Sequence, residues 1–443
     1  MEIKKEVRNW VGSIISFLNE KGFFHLLTVN MFSQVLSFIT LLLVAKFLTP
    51  TEYGDLKVLQ TYVNIFVVIA TFGFNSSALK LCSENRSEAE RAAIFQNALK
   101  RVGITTTITL LGGVLLSSLG WITSSAFLSK WLIVYLAIVP IDVFTGLLTV
   151  YLQAQKRFKK MAQAQAIFRV QSIPLILLGT WLWGFPGFII ASILSHAIGL
   201  WPFLRYSGLE IFKKFNINIP RELMRYAIFS FLAQILSQVV TNGDILILDH
   251  FSSDRENIGF YSLALLFILA GTLVTQTVRS ITTPYFSEHS DDPYWVRTQL
   301  RKNQLRMIFF SIAIAVGIYF GSRLVIPLFY GPTYLETVTY LGVLLISYIL
   351  QSSYAILGSA ITGLGKMKYT FIIAAFSAPV ELALTYFSLQ RYGFMGVAWS
   401  QVITSLFVLV LNILFVQIAI RKQINTVGLS VDAQEDNPKI INQ

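Results

Sequence analysis

Four ionisable side chains lie deep inside uncharged stretches of this chain: Asp142, Arg169, Arg279 and Glu381. Placing such a charge at the centre of an apolar helix costs about 2.5–3.5 kcal/mol on insertion scales, so each must have a partner or a use. Asp142 heads a polar face with Thr145, Thr149 and Gln153, while Arg169 follows Gln165 and precedes Ser172 on another. Glu381 shares a face with Ser377, Thr385 and Ser388. Asp142 and Arg169 can compensate one another as a buried ion pair that fixes packing. Alternatively, Arg169 holds a ligand and the acids titrate during a working cycle. Arg279, near one end of its stretch, can snorkel to lipid headgroups or reach a ligand. His196, alone among apolar neighbours, reads as a packed histidine rather than a proton relay.

Uncharged polar residues form stripes beside these charges. Asn30, Gln34, Ser37 and Thr40 fall at i, i+4, i+7 and i+10, one face of a helix that ends at Lys46. Ser230, Gln234, Gln238, Thr241 and Asp244 make a second stripe. Gln60, Asn64, Thr71 and Asn75 make a third, and Ser262, Thr272, Gln276 and Arg279 a fourth. The plain reading is hydrogen bonding between helices, worth only about 0.6 kcal/mol per contact. Recurrence of the stripes on related helices favours a water-filled central cavity.

The elements that carry these residues are apolar runs of about 20 residues, each long enough to cross a bilayer as a helix. They fall near 26–48, 57–79, 102–122, 131–153, 161–183, 187–205, 226–248, 258–282, 305–328, 337–362, 369–390 and 394–420. Hydrophobic residues make up 54% of the 443-residue chain and charged ones 13%, which predicts an all-α integral membrane protein of about 12 spans. The excess of 35 Lys+Arg over 23 Asp+Glu gives a net charge of +12. Those basic residues alternate from loop to loop, so they mark cytoplasmic span ends rather than a nucleic-acid surface. Both termini are thereby expected in the cytoplasm. No cleavable signal is expected at the N-terminus; Ile3, Val7, Trp10, Val11, Ile14 and Leu18 instead predict an amphipathic helix on the inner leaflet. Cys82 is the one cysteine, which excludes an internal disulfide. No metal-ligand cluster, P-loop or Ser/His/Asp grouping is visible, so neither a metal cofactor nor an enzyme is expected. Ser87 and Glu90 have the spacing of a capping box for the loop helix that follows.

The two halves repeat. A shift of about 204 positions places Asn30, Gln34, Ser37, Thr40, Lys46 and Phe47 on Gln234, Gln238, Thr241, Asp244, His250 and Phe251. Gly184-Phe-Pro-Gly187 likewise corresponds to Gly393-Phe-Met-Gly396, and Arg169 falls close to Glu381. Six spans per half is an even number, so both lobes enter the membrane in the same direction, a parallel pseudo-repeat. The expected organisation is an amphipathic segment at 1–25, an N-lobe at 26–206 and a cytoplasmic linker at 207–225. A C-lobe at 226–420 and a disordered tail at 421–443 complete it.

The run Leu42-Leu-Val-Ala-Lys-Phe-Leu-Thr-Pro-Thr-Glu-Tyr-Gly54 and the segment Phe72-Gly-Phe-Asn-Ser-Ser-Ala-Leu-Lys80 resemble polysaccharide flippases of the Wzx type. These belong to the multidrug/oligosaccharidyl-lipid/polysaccharide (MOP) exporter superfamily. The resemblance covers nearly the whole chain in span order and length. It implies a V-shaped, MATE-like transporter in the bacterial inner membrane. Such a protein turns a polyprenyl-pyrophosphate-linked oligosaccharide from the cytoplasmic to the periplasmic leaflet by alternating access. Arg169 and Arg279 would then meet the pyrophosphate, Lys46 would line the cavity with them, and Gln34, Asn64, Gln234, Gln238 and Gln276 would face sugar hydroxyls. Asp142, Asp244 and Glu381 are the candidates for coupling to a proton or sodium gradient, with no other cofactor implied. Partners would be the lipid-linked cargo, the bilayer and the polymerase and chain-length machinery. The alternatives are a cation-coupled multidrug exporter, a flippase for the peptidoglycan lipid precursor and a membrane scaffold for glycan assembly.

Overall fold

The computed structural model describes residues 23–84, 87–208 and 222–435, and every regular element among them is helical. The amphipathic segment expected at the N-terminus and most of the linker at 207–225 lie outside the described residues. In chain order the helices are α1 (Phe23–Phe47), α2 (Pro50–Thr71), α3 (Phe74–Ser83), α4 (Glu88–Ser118), α5 (Ala126–Tyr135) and α6 (Ile138–Ala154). There follow α7 (Phe158–Ser207), α8 (Glu222–Phe251), α9 (Arg255–Glu288), α10 (Pro293–Phe329), a 3₁₀ turn at Pro332–Leu335, α11 (Glu336–Gly363) and α12 (Met367–Glu435). α12 thus continues into the segment read as a disordered tail, whose last residues, 436–443, lie outside the described ones.

Local chemistry sets the starts and bends. α2 opens with Pro50 at its first position and a capping box between Thr49 and Glu52; α4 opens with the same device between Ser87 and Glu90. α2 and α3 form one span bent by 48°, where Phe72 and Gly73 take left-handed conformations (φ 45° and 72°). The pair α5 and α6 forms another, bent by 41°.

α7 holds 50 residues, roughly 75 Å of helix, far more than one crossing of a bilayer. It is two spans joined at Gly184 (φ 58°, ψ −136°), and α12 is two spans joined at Gly393 (φ 61°, ψ −151°). Only glycine enters that backbone region without strain. The second glycine of each motif serves contact instead. A Cβ on Gly187 would land on the Gly179 carbonyl oxygen, and one on Gly396 on the Ser388 carbonyl oxygen. The Gly-Phe-x-Gly motif is therefore the same tight hairpin in both halves, with backbones packed at van der Waals distance. Counting these double helices, the bent pairs and α1, the structure carries about 12 crossing segments, one for each apolar run. Replacing Gly187 or Gly396 by Val is expected to reduce membrane-inserted protein severely. Replacing the open Gly112, where nothing lies within 4 Å of an added Cβ, is not; quantitative immunoblotting of membranes checks the contrast.

The chain forms two compact units: one spans the residues up to Gln238 with Ser252–Gly259, the other Val239–Phe251 with the residues from Phe260 onward. The first part of α8 packs inside the N-terminal unit. There Phe231 stacks on Phe72 at 4.6 Å, and the Lys80 ammonium lies 3.4 Å from the Tyr226 ring centre. Gly73 permits this approach, since a Cβ there would meet the Ala227 carbonyl oxygen. In the C-terminal unit, Phe286, Val296, Leu300 and Met307 pack with Ile356, Leu357, Ile361, Val416 and Ile420 to form a core.

Candidate functional site

Most serine and threonine hydroxyls of the polar faces are satisfied within their own helices. Thr145 donates to the Ile141 carbonyl, Thr149 to Thr145, Ser172 to Arg169, Ser377 to Ile373 and Thr40 to Leu36. This back-bonding conceals a hydroxyl at no cost in packing partners. What remains to be accounted for are carboxylates, arginines, amides and histidines, and some of these gather in one cluster per unit.

In the N-terminal unit, α6 presents Asp142 to His196 of α7, with the His196 Nε2 3.3 Å from the Asp142 Oδ1. His196 Nδ1 lies 2.7 Å from the Ser192 carbonyl oxygen, an acceptor only, so Nδ1 carries a hydrogen. Nε2 faces the carboxylate oxygen. Arg169 lies within electrostatic reach of Asp142 but makes no contact with it under 4 Å. Asp142, His196 and Arg169 thus form one cluster in the N-terminal unit. Phe168 holds it in place: its ring meets His196 edge-on at 5.1 Å and lies 5.4 Å from the Arg169 guanidinium. Gly199 makes room for that ring, since a Cβ there would overlap it. The ion-pair partner that α6 finds is thus the histidine read from sequence as a packing residue.

In the C-terminal unit, Asp244 of α8 and Glu381 of α12 are both buried. Tyr261 of α9 donates to the Asp244 Oδ2 at 2.6 Å, and the amide of Ile245 donates to Oδ1 at 2.8 Å. The Glu381 Oε1 accepts from the Gln401 Nε2 at 2.6 Å and from the Thr385 hydroxyl at 3.1 Å. Its Oε2 has no hydrogen-bond partner, and among the described residues no basic side chain pairs with Glu381. α8 passes close by, with Gly243 leaving space beside the Glu381 Cγ. A fully buried carboxylate without a cation is held only if it binds a proton or a small cation.

The other sequence-predicted residues are scattered. Gln34, Lys46 and Asn64 are exposed in the N-terminal unit, where Gln234 and Gln238 are half-buried. Gln276 and Arg279 are exposed on α9. Among the described residues, the side chains of Gln34, Asn64, Gln276 and Arg279 make no hydrogen bond to either cluster. His196, Tyr261 and Gln401 are the residues that sequence reasoning left out. Gln401 had a usable signal. It follows the Gly393 break on the leg that folds back beside the one carrying Glu381.

A multi-crossing, all-helical chain with charged groups gathered inside its spans has the fold of the MOP transporters. It matches an inward-facing multidrug resistance MATE family transporter of that superfamily with a TM-score of 0.74 at 15% identity, over 89% of this chain and 96% of the other. It matches an inward closed structure of the lipid II flippase MurJ equally well, with a TM-score of 0.74 at 16% identity over 95% and 94%. Residues 20–290 match the polysaccharide biosynthesis protein family, and the chain belongs to that family. The membrane protein MJ1375 of Methanocaldococcus jannaschii is 20% identical over 91% of this chain and 99% of its own length. A protein named as an O-antigen transporter in Shigella flexneri is 24% identical over 59% of this chain and 64% of its own. The amylovoran biosynthesis protein AmsL of Erwinia amylovora is 25% identical over 42% and 48%.

Proposed function

We propose that this chain is a flippase that carries a polyprenyl-pyrophosphate-linked oligosaccharide from the inner to the outer leaflet of the cytoplasmic membrane. One observation carries the reading: polar side chains stand exposed at the depth of apolar spans, Gln34 and Asn64 in one unit and Gln276 and Arg279 in the other. Exposure to lipid tails is costly for the amides, and water or polar cargo relieves that cost, while Arg279 near its span end reaches headgroups or cargo. Amides suit sugar hydroxyls, and arginine suits a pyrophosphate that few waters compete for. The Arg169 guanidinium beside the Asp142–His196 pair supports an anionic passenger. Glu381 and Asp244 supply the site for a coupling proton or sodium ion, whose binding and release would bias the working cycle. The chemistry is transport without covalent change. Deleting the gene in its host should abolish surface polysaccharide and accumulate lipid-linked repeat units on the inner leaflet. Normal polysaccharide in the deletion strain sinks the proposal.

The loop charges orient the chain with both termini inside. With the buried Cys82 replaced, cysteines at Ser253 and Thr333, both exposed, should react in intact cells with a membrane-impermeant thiol reagent. Cysteines at the exposed Ser87 and Asp291 should react only after the membrane is opened. Equal labelling of the two groups in intact cells discards this orientation.

A further inference from the structure

One cavity of the C-terminal unit belongs to neither cluster. It holds about 340 Å³ and lies between α10, α11 and the second half of α12. Leu300, Leu357, Val416 and Ile420 make its apolar floor, and Arg297, Arg301 and Arg421 stand at its exposed rim. Two helices contribute matching pairs at i, i+4, Arg297 with Arg301 and Gln417 with Arg421, so each presents its polar groups on one side. Among the described residues none of the three arginines has an acidic partner, which leaves the rim strongly positive beside an oily floor.

The level of the cavity is marked independently. The apolar run of α10 begins after Arg306, and that of α12 ends at Ile420, so the three arginines stand just beyond the hydrocarbon stretch on both helices. Trp295 stacks on His289 at 4.0 Å and lies 5.4 Å from Tyr285, a group of amphipathic rings of the kind found at headgroup depth. Gln423 donates to the Ser290 carbonyl at 2.6 Å, tying the end of α12 to the turn between α9 and α10. The cavity wall is therefore fixed on both sides.

We propose that this cavity is a binding site for the headgroup of an anionic phospholipid of the inner leaflet. The phosphodiester would lie among Arg297, Arg301 and Arg421, and an acyl chain would run over Leu300, Val416 and Ile420. Basic pockets between spans at the cytoplasmic surface hold anionic headgroups by this combination of charge and apolar contact. The inference rests on the proposed orientation only for the choice of leaflet; the chemistry of the site is independent of cargo transport. A pyrophosphate-headed cargo lipid shares that chemistry, and the two sources separate by competition.

The test uses the full chain purified in neutral detergent, with lipid retention followed by native mass spectrometry. Dioleoyl phosphatidylglycerol is expected to be retained, and dioleoyl phosphatidylcholine not. In the variant R297Q/R301Q/R421Q, retention of phosphatidylglycerol should weaken on the order of 100-fold, from about fivefold per lost surface charge. The variant R297K/R301K/R421K keeps the charge and should keep most of the binding, which separates loss of charge from loss of fold. Equal retention of the two lipids by the wild type, or wild-type retention by the glutamine variant, overturns the site. Displacement of phosphatidylglycerol by an equimolar polyprenyl pyrophosphate reassigns it to cargo and overturns the phospholipid. Failure of the flippase reading would show in the deletion strain and leave these retention measurements unchanged.

Discussion

Replacing Glu381 by glutamine is expected to remove gradient-driven transport while leaving the protein in the membrane at its normal level. Glutamine has the same shape, and its carbonyl oxygen can accept from Gln401 and Thr385 as the Glu381 Oε1 does. A neutral amide is also cheaper than a carboxylate in a site with no basic partner, so the fold has no reason to suffer. What disappears is the ability to take up and release a cation. Each charge moved down 100 mV is worth about 2.3 kcal/mol, so losing one coupled charge lowers the achievable transport ratio roughly 50-fold. Glu381→Ala makes the contrasting case. It leaves the buried Gln401 amide without its acceptor, at a cost of about 1–3 kcal/mol, and should lower abundance as well as activity. The measurement is flipping of labelled lipid-linked oligosaccharide in sealed vesicles under an imposed proton or sodium gradient. Wild-type transport by Glu381→Gln would remove this residue from the coupling step.

The spans, about 12 of them, were legible because a bilayer imposes a length and a polarity on every crossing segment. The capping box at Ser87 and Glu90 was legible because it is local. So was the Gly-Phe-x-Gly pair, although its meaning as a hairpin with touching backbones needed the backbone angles at Gly184 and Gly393. The clusters were legible only by half. A lone charge in an apolar run announces itself, and Asp142, Arg169 and Glu381 did. Their partners did not, because a histidine, a tyrosine or a glutamine in a span has many uses. Tyr261 reaches Asp244 from the next helix, 17 residues on, through a register that no periodicity encodes. The threonines beside Asp142 misled in the other direction. They lie on its face at helical spacing, yet they bond back to their own helix and offer nothing outward. Hydroxyl stripes are thus weaker signals of a wet surface than amides and charges at the same depth.

The three ionisable residues of the N-terminal cluster separate a structural role from a functional one. If Arg169 merely balances Asp142, removing either charge strands the other in the membrane, and abundance should fall. The double variant Asp142→Asn with Arg169→Gln should then regain both abundance and transport. The geometry points the other way. Asp142 is already met by His196 at 3.3 Å, so Arg169→Gln leaves that pair intact and should be tolerated by the fold. Asp142→Asn can still donate from its amide to the His196 Nε2, a neutral contact that also preserves packing. The expected result is that both single variants and the double variant accumulate normally, and that every variant lacking Arg169 fails to deliver surface polysaccharide. Arg169→Lys should retain a part of the activity, because the charge survives without the planar fork that grips two phosphate oxygens. Restoration of polysaccharide by the Asp142→Asn, Arg169→Gln double variant would return Arg169 to a packing role and move the search for the anion-binding group to Arg279 and Lys46.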